Sequence, residues 1–221
     1  MCDRAVTQNY LQGQPGKSSH SYIDYIINRT LLRPRDVIQF FNICVKRAVN
    51  EPKINVNLIK EAEGEYSRER LRSLADEWSA DFPCNNYLFL SKNIITNQNE
   101  HFLLKDIDEH KIMEFCLELE KEEYDVDRKS SVAISAKKYC DDQKNPFEVL
   151  KETLIVFHKV GMVGIKLSPT TPFIWSDQDR SLVSKAEINE DTKFAIHPMF
   201  HKVLVIFPRF HGHFPKRLLP S

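Results

Sequence analysis

The chain has no excess of charge: 31 basic residues balance 31 acidic ones over 221 positions. A balanced chain has no global electrostatic footprint for nucleic acid or a membrane surface. It also lacks a run of about 20 apolar residues, the length that spans a bilayer, and no signal-peptide pattern opens it. Cysteine is sparse. Cys2, Cys44, Cys84, Cys116 and Cys140 are odd in number, widely scattered and mostly set among apolar neighbours. That usage predicts reduced, buried thiols in a cytoplasmic protein and excludes a disulfide framework. In such a compartment the Asn28-Arg29-Thr30 sequon is idle.

Catalytic motifs are missing too. A phosphate loop needs Gly-x-x-x-x-Gly-Lys-Ser/Thr between a strand and a helix, so that backbone amides can cradle the phosphates. The nearest approach is Gly13-Gln14-Pro15-Gly16-Lys17-Ser18, where Leu11 stands at the position of the first glycine. Pro15 removes an amide, and Thr7-Gln8-Asn9-Tyr10 is too polar for the preceding strand. The segment reads as a flexible loop. No apolar strand ends in the paired acids that Mg²⁺ handling requires. Asp142-Gln143-Lys144 imitates a nuclease motif but falls in a polar turn, and Cys140 has no histidine placed by sequence to activate it. His197 and His201 are four apart, and His211 and His213 flank Gly212. Zinc needs three or four ligands in fixed geometry, and His197, just before Pro198, reads as a cap or packing residue. No catalytic residue, no metal and no cofactor bound by this chain alone are expected.

What is present is a corner. Tyr22-Ile23-Asp24-Tyr25-Ile26-Ile27-Asn28-Arg29-Thr30-Leu31-Leu32 leads into Arg33-Pro34-Arg35-Asp36 and then Val37-Ile38-Gln39-Phe40-Phe41-Asn42. Pro34 suits the first turn of a helix, where its missing amide would have no partner. Asp36 in that turn complements the helix dipole. Val37, Phe40, Phe41, Cys44, Val45 and Ala48 recur at helical spacing and form the predicted buried face. Packing does not explain Arg33 and Arg35. They are either surface charges pairing with Asp24 or Asp36, or, with Arg29, contacts for a phosphate or carboxylate presented in fixed geometry by the proline.

This stretch resembles the helical lid that follows the nucleotide-binding core in bacterial P-loop ATPases of the AAA and STAND kind. The resemblance extends through Ala62-Glu63-Gly64-Glu65-Tyr66-Ser67, Arg70-Leu71 and Asp76-Glu77-Trp78. It continues in Val160-Gly161-Met162-Val163-Gly164-Ile165-Lys166, Pro172-Phe173-Ile174-Trp175-Ser176 and Ile196-His197-Pro198-Met199-Phe200. It covers about Ser21 to Val203 and implies that an arginine opening a lid helix senses nucleotide; Arg33, Arg35 and Arg29 are the residues in that place. Because the phosphate loop is absent, the chain looks like the C-terminal, regulatory part of such an ATPase without its engine. The resemblance also implies a bacterial source in a mobile element or defence locus.

The expected fold is mainly α with a small β part: a three-helix lid-like bundle followed by a winged-helix domain. Residues 1–19 read as a flexible segment, 20–82 as the bundle, 83–104 as a linker, 105–203 as the winged helix and 204–221 as a basic tail. In the bundle, helices are predicted from His20 to Leu32, from the proline to about Asn50, and from about Asn57 to Ala80 with a bend near Gly64 or Ser67. In the second part, Ile107 to Glu123, Ser130 to Cys140 and Pro146 to Val160 read as helices, the last stopped by Gly161. Met162 to Leu167, Phe173 to Ser176 and Phe194 to Ile196 read as strands, and His197 to Val203 as a closing helix.

A DNA-reading winged helix needs basic residues on the helix before the hairpin and on the wing. The outward positions there are Glu148, Lys151, Glu152, His158 and Lys159, with Lys137, Lys138, Lys144 and Lys166 nearby. The two acids favour protein docking over DNA, since phosphate neutralisation supplies most of the affinity. The expected partners are therefore an ATPase core supplying ATP, or another protein, with DNA through Lys151, Lys159, Lys166, Lys137 and Lys138 as the alternative. A free-standing DNA-binding or adaptor protein with no ATP connection is the rival reading.

Overall fold

The computed structural model describes residues 22–78, 92–95, 99–121, 131–142, 145–176 and 183–204. Over these residues the protein is mainly helical with one small antiparallel sheet, the class the sequence predicts. The phosphate-loop-like segment, Phe82-Pro83, most of the acidic run beyond Lys121, the Asp142-Gln143-Lys144 turn beyond its first residue and the His211/His213 tail lie outside the described residues.

Helix α1 is Tyr22–Ile27, shorter than expected. The chain leaves the helix because the Thr30 hydroxyl donates back to the Ile27 carbonyl (2.8 Å) and Leu32 takes a positive φ of 56°. Arg33 is then extended, as a residue before proline must be. Helix α2, Pro34–Arg47, starts there, and the Arg33 carbonyl accepts from the amides of Asp36 and Val37. Its buried face is Asp36, Phe40, Ile43 and Cys44. Val45, predicted inward, is 46% exposed, because the helix is rolled so that Asp36 points into the molecule and the i+4 and i+7 positions follow it.

Helix α3, Val56–Glu77, begins on Asn55, whose side-chain oxygen accepts from the amides of Asn57 and Leu58. It runs without interruption through Gly64 and Ser67, where a bend is expected from sequence. The helix packs on α2 through Phe40 and Tyr66, whose rings stack with centroids 4.8 Å apart. The stretch read as a linker carries α4, Lys92–Ile95, and strand β1, His101–Leu103.

Helices α5 (Glu109–Lys121), α6 (Ser131–Asp142) and α7 (Pro146–Lys159) follow, and Gly161 at φ 83° turns the chain into strand β2, Val163–Lys166. Strand β3, Lys193–Ile196, lies between the other two, giving the order β1-β3-β2. Register puts Phe102, Phe194 and Ile165 in one buried row, and His101, Ala195 and Gly164 in the row on the opposite face. Phe173 and Trp175 fold over that second row. Phe173 stacks on His101 at 5.1 Å, and a Cβ on Gly164 would stand 2.6 Å from the Trp175 ring. Only glycine lets the indole lie this close to the strand. The Phe173 to Ser176 segment contributes one bridge, Ile174 to Ile165, in place of a full strand. The expected closing helix is a single 3₁₀ turn, Pro198–Phe200. His197 caps it, its Nδ1 accepting from the Met199 amide at 3.1 Å, the role read from sequence.

The two parts meet at α3. The Tyr66 hydroxyl donates to the Met199 sulfur (3.3 Å) and the Ser67 hydroxyl to the Met199 carbonyl (2.5 Å), all buried. His158, expected outward, is 4% exposed because β2 runs back along α7 and brings the Val163 carbonyl within 3.2 Å of its ring.

Candidate functional site

Guanidiniums from three points in the chain converge where α2 begins and α3 ends. Arg33 precedes the proline, Arg35 follows it, and Arg70 lies two turns before the end of α3. All three meet Glu77, the last residue of α3. Arg70 grips it with both terminal nitrogens, Nη1 to Oε1 at 2.7 Å and Nη2 to Oε2 at 2.9 Å. Arg35 Nη2 donates to Oε1 at 2.5 Å and Arg33 Nη1 to Oε2 at 3.3 Å. Each carboxylate oxygen therefore accepts twice, which fills its lone pairs.

The corner is layered. Arg70 is 1% exposed, Glu77 27%, Arg33 44% and Arg35 65%. Behind Arg70 sits Asp36, fully buried, with Oδ2 3.6 Å from Arg70 Nε and Oδ1 3.7 Å from Arg35 Nε. Both Asp36 oxygens and Arg70 Nε are without a hydrogen-bond partner among the described residues, so Asp36 acts on the arginines by charge alone. Three guanidiniums face two carboxylates, which leaves one net positive charge at the surface. Arg70, with its bidentate bond, and then the nearby charges of Arg35 and Arg33 hold the Glu77 carboxyl at a pKa of about 2, well below the usual carboxylate range.

Arg29 is placed elsewhere, between α1 and α3 and near His201 of the sheet-bearing part. Its Nε donates to Glu63 Oε1 at 2.6 Å, its guanidinium lies 3.6 Å from the centroid of the Tyr25 ring, and Tyr25 donates to Glu63 Oε2 at 2.7 Å. Glu63 is 2% exposed. Burial raises the Tyr25 phenol far above its ordinary value. Close by, burial pushes His201 down to about 4, and its Nε2 lies 3.0 Å from the Ile196 carbonyl.

The lysines read as DNA contacts are dispersed. Lys137, Lys138 and Lys159 are exposed and Lys166 is half-buried, with its ammonium 5.9 Å from the Phe173 ring centroid. Lys151 lies 3.7 Å from Glu148, and Lys185 reaches both Glu148 (3.2 Å) and Glu152 (2.6 Å). The outer side of α7 is thereby close to neutral. Sequence reasoning named Asp36 as a pairing partner at the corner, at 3.7 Å from Arg35 Nε, but missed Arg70 and Glu77 as its members. Their signal was spacing: Arg70 and Glu77 are seven apart, two turns on one face of a helix.

A second exposed feature adjoins the corner. Ile38 (59% exposed), Val45 (46%) and Val49 (65%) lie along one side of α2 and just beyond it at i, i+7 and i+11 spacing. Arg35 and Lys46 are exposed beside this side, Arg47 turns to α3 and pairs with Glu61 and Glu65, and the one acid of α2, Asp36, points inward.

Among the described residues no three His, Cys, Asp or Glu side chains are grouped to hold a metal, and no helix is long and apolar enough to cross a membrane. Residues 4–75 match the family model of the FunZ-associated C-terminal helical domain. The match takes in Arg33, Arg35 and Arg70, stops just short of Glu77, and does not reach the sheet-bearing part. Comparison with the curated proteins and with the solved structures finds no match to this chain. The similarity over residues 4–75 is to a helical domain, described as C-terminal and FunZ-associated.

Proposed function

We propose that the chain is a non-catalytic accessory module that docks on a partner protein through α2 and presents Arg33 and Arg35 to an anion, the phosphates of a nucleotide held by that partner. The observation that carries this reading is the surplus of guanidinium over carboxylate at the corner, with Arg33 and Arg35 at the open surface. Guanidiniums in fixed orientation match phosphate bidentately and remain charged at any physiological pH. The similarity to a FunZ-associated domain supports a protein partner. The exposed apolar side of α2, flanked by Arg35 and Lys46 and carrying no acid of its own helix, fits an apolar partner surface edged by acidic residues.

The sheet-bearing part supports a winged-helix reading. Its strand order β1-β3-β2, the three helices α5, α6 and α7 and the Phe173–Trp175 segment folded over the sheet are the parts such a domain needs. The pairing of Lys151 and Lys185 with Glu148 and Glu152 favours docking to protein over DNA.

The test is reconstitution with an ATPase from the native host that co-purifies with the full chain. Val45→Glu with Val49→Glu should abolish association. R33A/R35A, which removes one flanking charge, should weaken association only modestly and, at saturating partner, change ATP turnover of the complex by about tenfold or more, the scale of an arginine acting on phosphate charge. Unchanged turnover in the docked double variant rules out nucleotide sensing. Salt-dependent DNA binding lost on replacing Lys159 and Lys166 would move the function to the rival reading.

A further inference from the structure

The corner holds more information than the presence of two arginines. A single carboxylate rarely needs three guanidiniums, and Glu77 is the only acid among the described residues that all three contact. We propose that Glu77 stands in for a phosphate: Arg33, Arg35 and Arg70 form a phosphate site that the chain closes with its own carboxylate. A phosphate-bearing ligand opens the site by displacing Glu77 from Arg33 and Arg35. The inference rests on the reading that these arginines meet an anion, and adds the ligand class and the means by which the site is kept shut.

Charge count selects phosphate. With Glu77 in place the corner carries one net positive charge; with Glu77 swung away, three guanidiniums face Asp36 alone and two positive charges are left. A phosphate group bears about two negative charges near neutral pH. It also brings three terminal oxygens where Glu77 brings two, so it can engage Arg33 and Arg35 without sharing the acceptors that Arg70 uses.

Position lets the exchange happen. Glu77 is the last helical residue, its side chain is partly exposed, and a helix end has fewer backbone constraints than its middle. Arg70 is fixed from below, buried and facing Asp36, so it stays as the floor of the site whichever anion occupies it. Arg33 and Arg35 are exposed and exchange partners at little cost, as surface ion pairs do. The result is a site whose affinity in the free chain is held low by an internal competitor at very high effective concentration.

The experiment uses the full chain and three probes at constant ionic strength: inorganic phosphate, pyrophosphate and ATP. Glu77→Gln removes the competing charge while keeping the shape. The expected result is binding about tenfold or more tighter than wild type, read by calorimetry or by a rise in melting temperature. R33A/R35A in the Glu77→Gln background should abolish that gain. Gain for pyrophosphate and ATP above phosphate points to a nucleotide as the source, and equal gain for all three points to a lone phosphate group; both support the site. Because Glu77→Gln can loosen Arg70, Glu77→Asp provides a second variant that keeps the charge but shortens its reach, with an intermediate gain expected. A folded Glu77→Gln or Glu77→Asp protein that binds none of the probes better than wild type overturns the inference. Nucleotide sensing in the partner complex would still stand or fall on the R33A/R35A turnover measurement, so the two ideas fail separately.

Discussion

Glu63 and Glu77 lie on the same helix, are both bound by arginines from the segment before it, and are nevertheless used differently. Glu63 is buried between α1 and α3 and has one arginine and one tyrosine, each making one short bond to a different oxygen. Glu77 is at the edge and collects three arginines. The first set has matched donors and acceptors and little opening to solvent, Arg29 being 17% exposed and Glu63 2%, so it pins α1 to α3. The second has more cation than its carboxylate requires and leaves that cation where a ligand can reach it. Stoichiometry and exposure, not residue type, separate this structural ion pair from the proposed binding site.

The comparison breaks most directly at Glu63. Removing one partner of a buried pair leaves the other charge uncompensated, which typically costs about 3–5 kcal/mol. Glu63→Ala should therefore lower the urea midpoint by the largest margin of any change considered, with Tyr25 losing its acceptor as well. A loss below about 1 kcal/mol would put Glu63 in the weak class of surface pairs and erase the contrast with Glu77.

Acid separates the two regions by window. His201 has a folded pKa of about 4, held down by burial, against an ordinary value of 6.5. The unfolded chain then binds the proton first, so stability present above pH 6.5 is lost as pH falls from 6.5 to 4, by up to about 3 kcal/mol. Glu77, with a folded pKa of about 2 against 4.5, acts lower down: its contribution is present above pH 4.5 and is lost as pH falls from 4.5 to 2. Denaturant melts at pH 7, 5 and 3 should show the first loss flattened in His201→Gln and the second reduced in Glu77→Gln. A single loss confined below pH 4 would mean that the joint does not exclude water from His201.

How much of this was legible in the sequence follows from what periodicity can encode. The three helices at 34–47, 131–142 and 146–159, the Gly161 stop and the central strand at 193–196 were readable because spacing, Pro34, Pro146 and glycine mark them locally. The roll of α2 was not: apolar residues occur nearly all round it, and only the inward turn of Asp36 decides which face is buried. The helix of α1 was read but not its early end at Ile27, because nothing local predicts a positive φ at Leu32. Arg33 and Arg35 stood out as unexplained by packing, but their common partner lies more than 40 residues along the chain. Long-range convergence of that kind is absent from a one-dimensional pattern. Strand β1 escaped notice for a similar reason, being a three-residue edge that is defined only by pairing with β3.

A smaller effect is expected at the seam between the parts. Ser67→Ala removes the donor that satisfies the buried Met199 carbonyl and should cost about 1–3 kcal/mol. The loss should add to that of a change at Arg35, which shares none of its partners. Non-additivity would show that the corner and the joint form one cooperative unit, and the distinction drawn between Glu63 and Glu77 would no longer hold.

The smallest effect on stability should come from the two residues most important to the proposed function. Arg33 and Arg35 are exposed, and Arg70 alone already satisfies both oxygens of Glu77. Each exposed pair contributes about 0–1 kcal/mol, and deleting both arginines also relieves their mutual repulsion. R33A/R35A should therefore shift the urea midpoint barely at all, with the far-ultraviolet circular dichroism unchanged. Retained stability together with lost response to a phosphate ligand is the signature of a site, because a structural role would move both. If the double variant instead loses stability on the scale of Glu63→Ala, the arginines are part of the scaffold, and their exposure reflects only the position of α2 at the rim of the molecule.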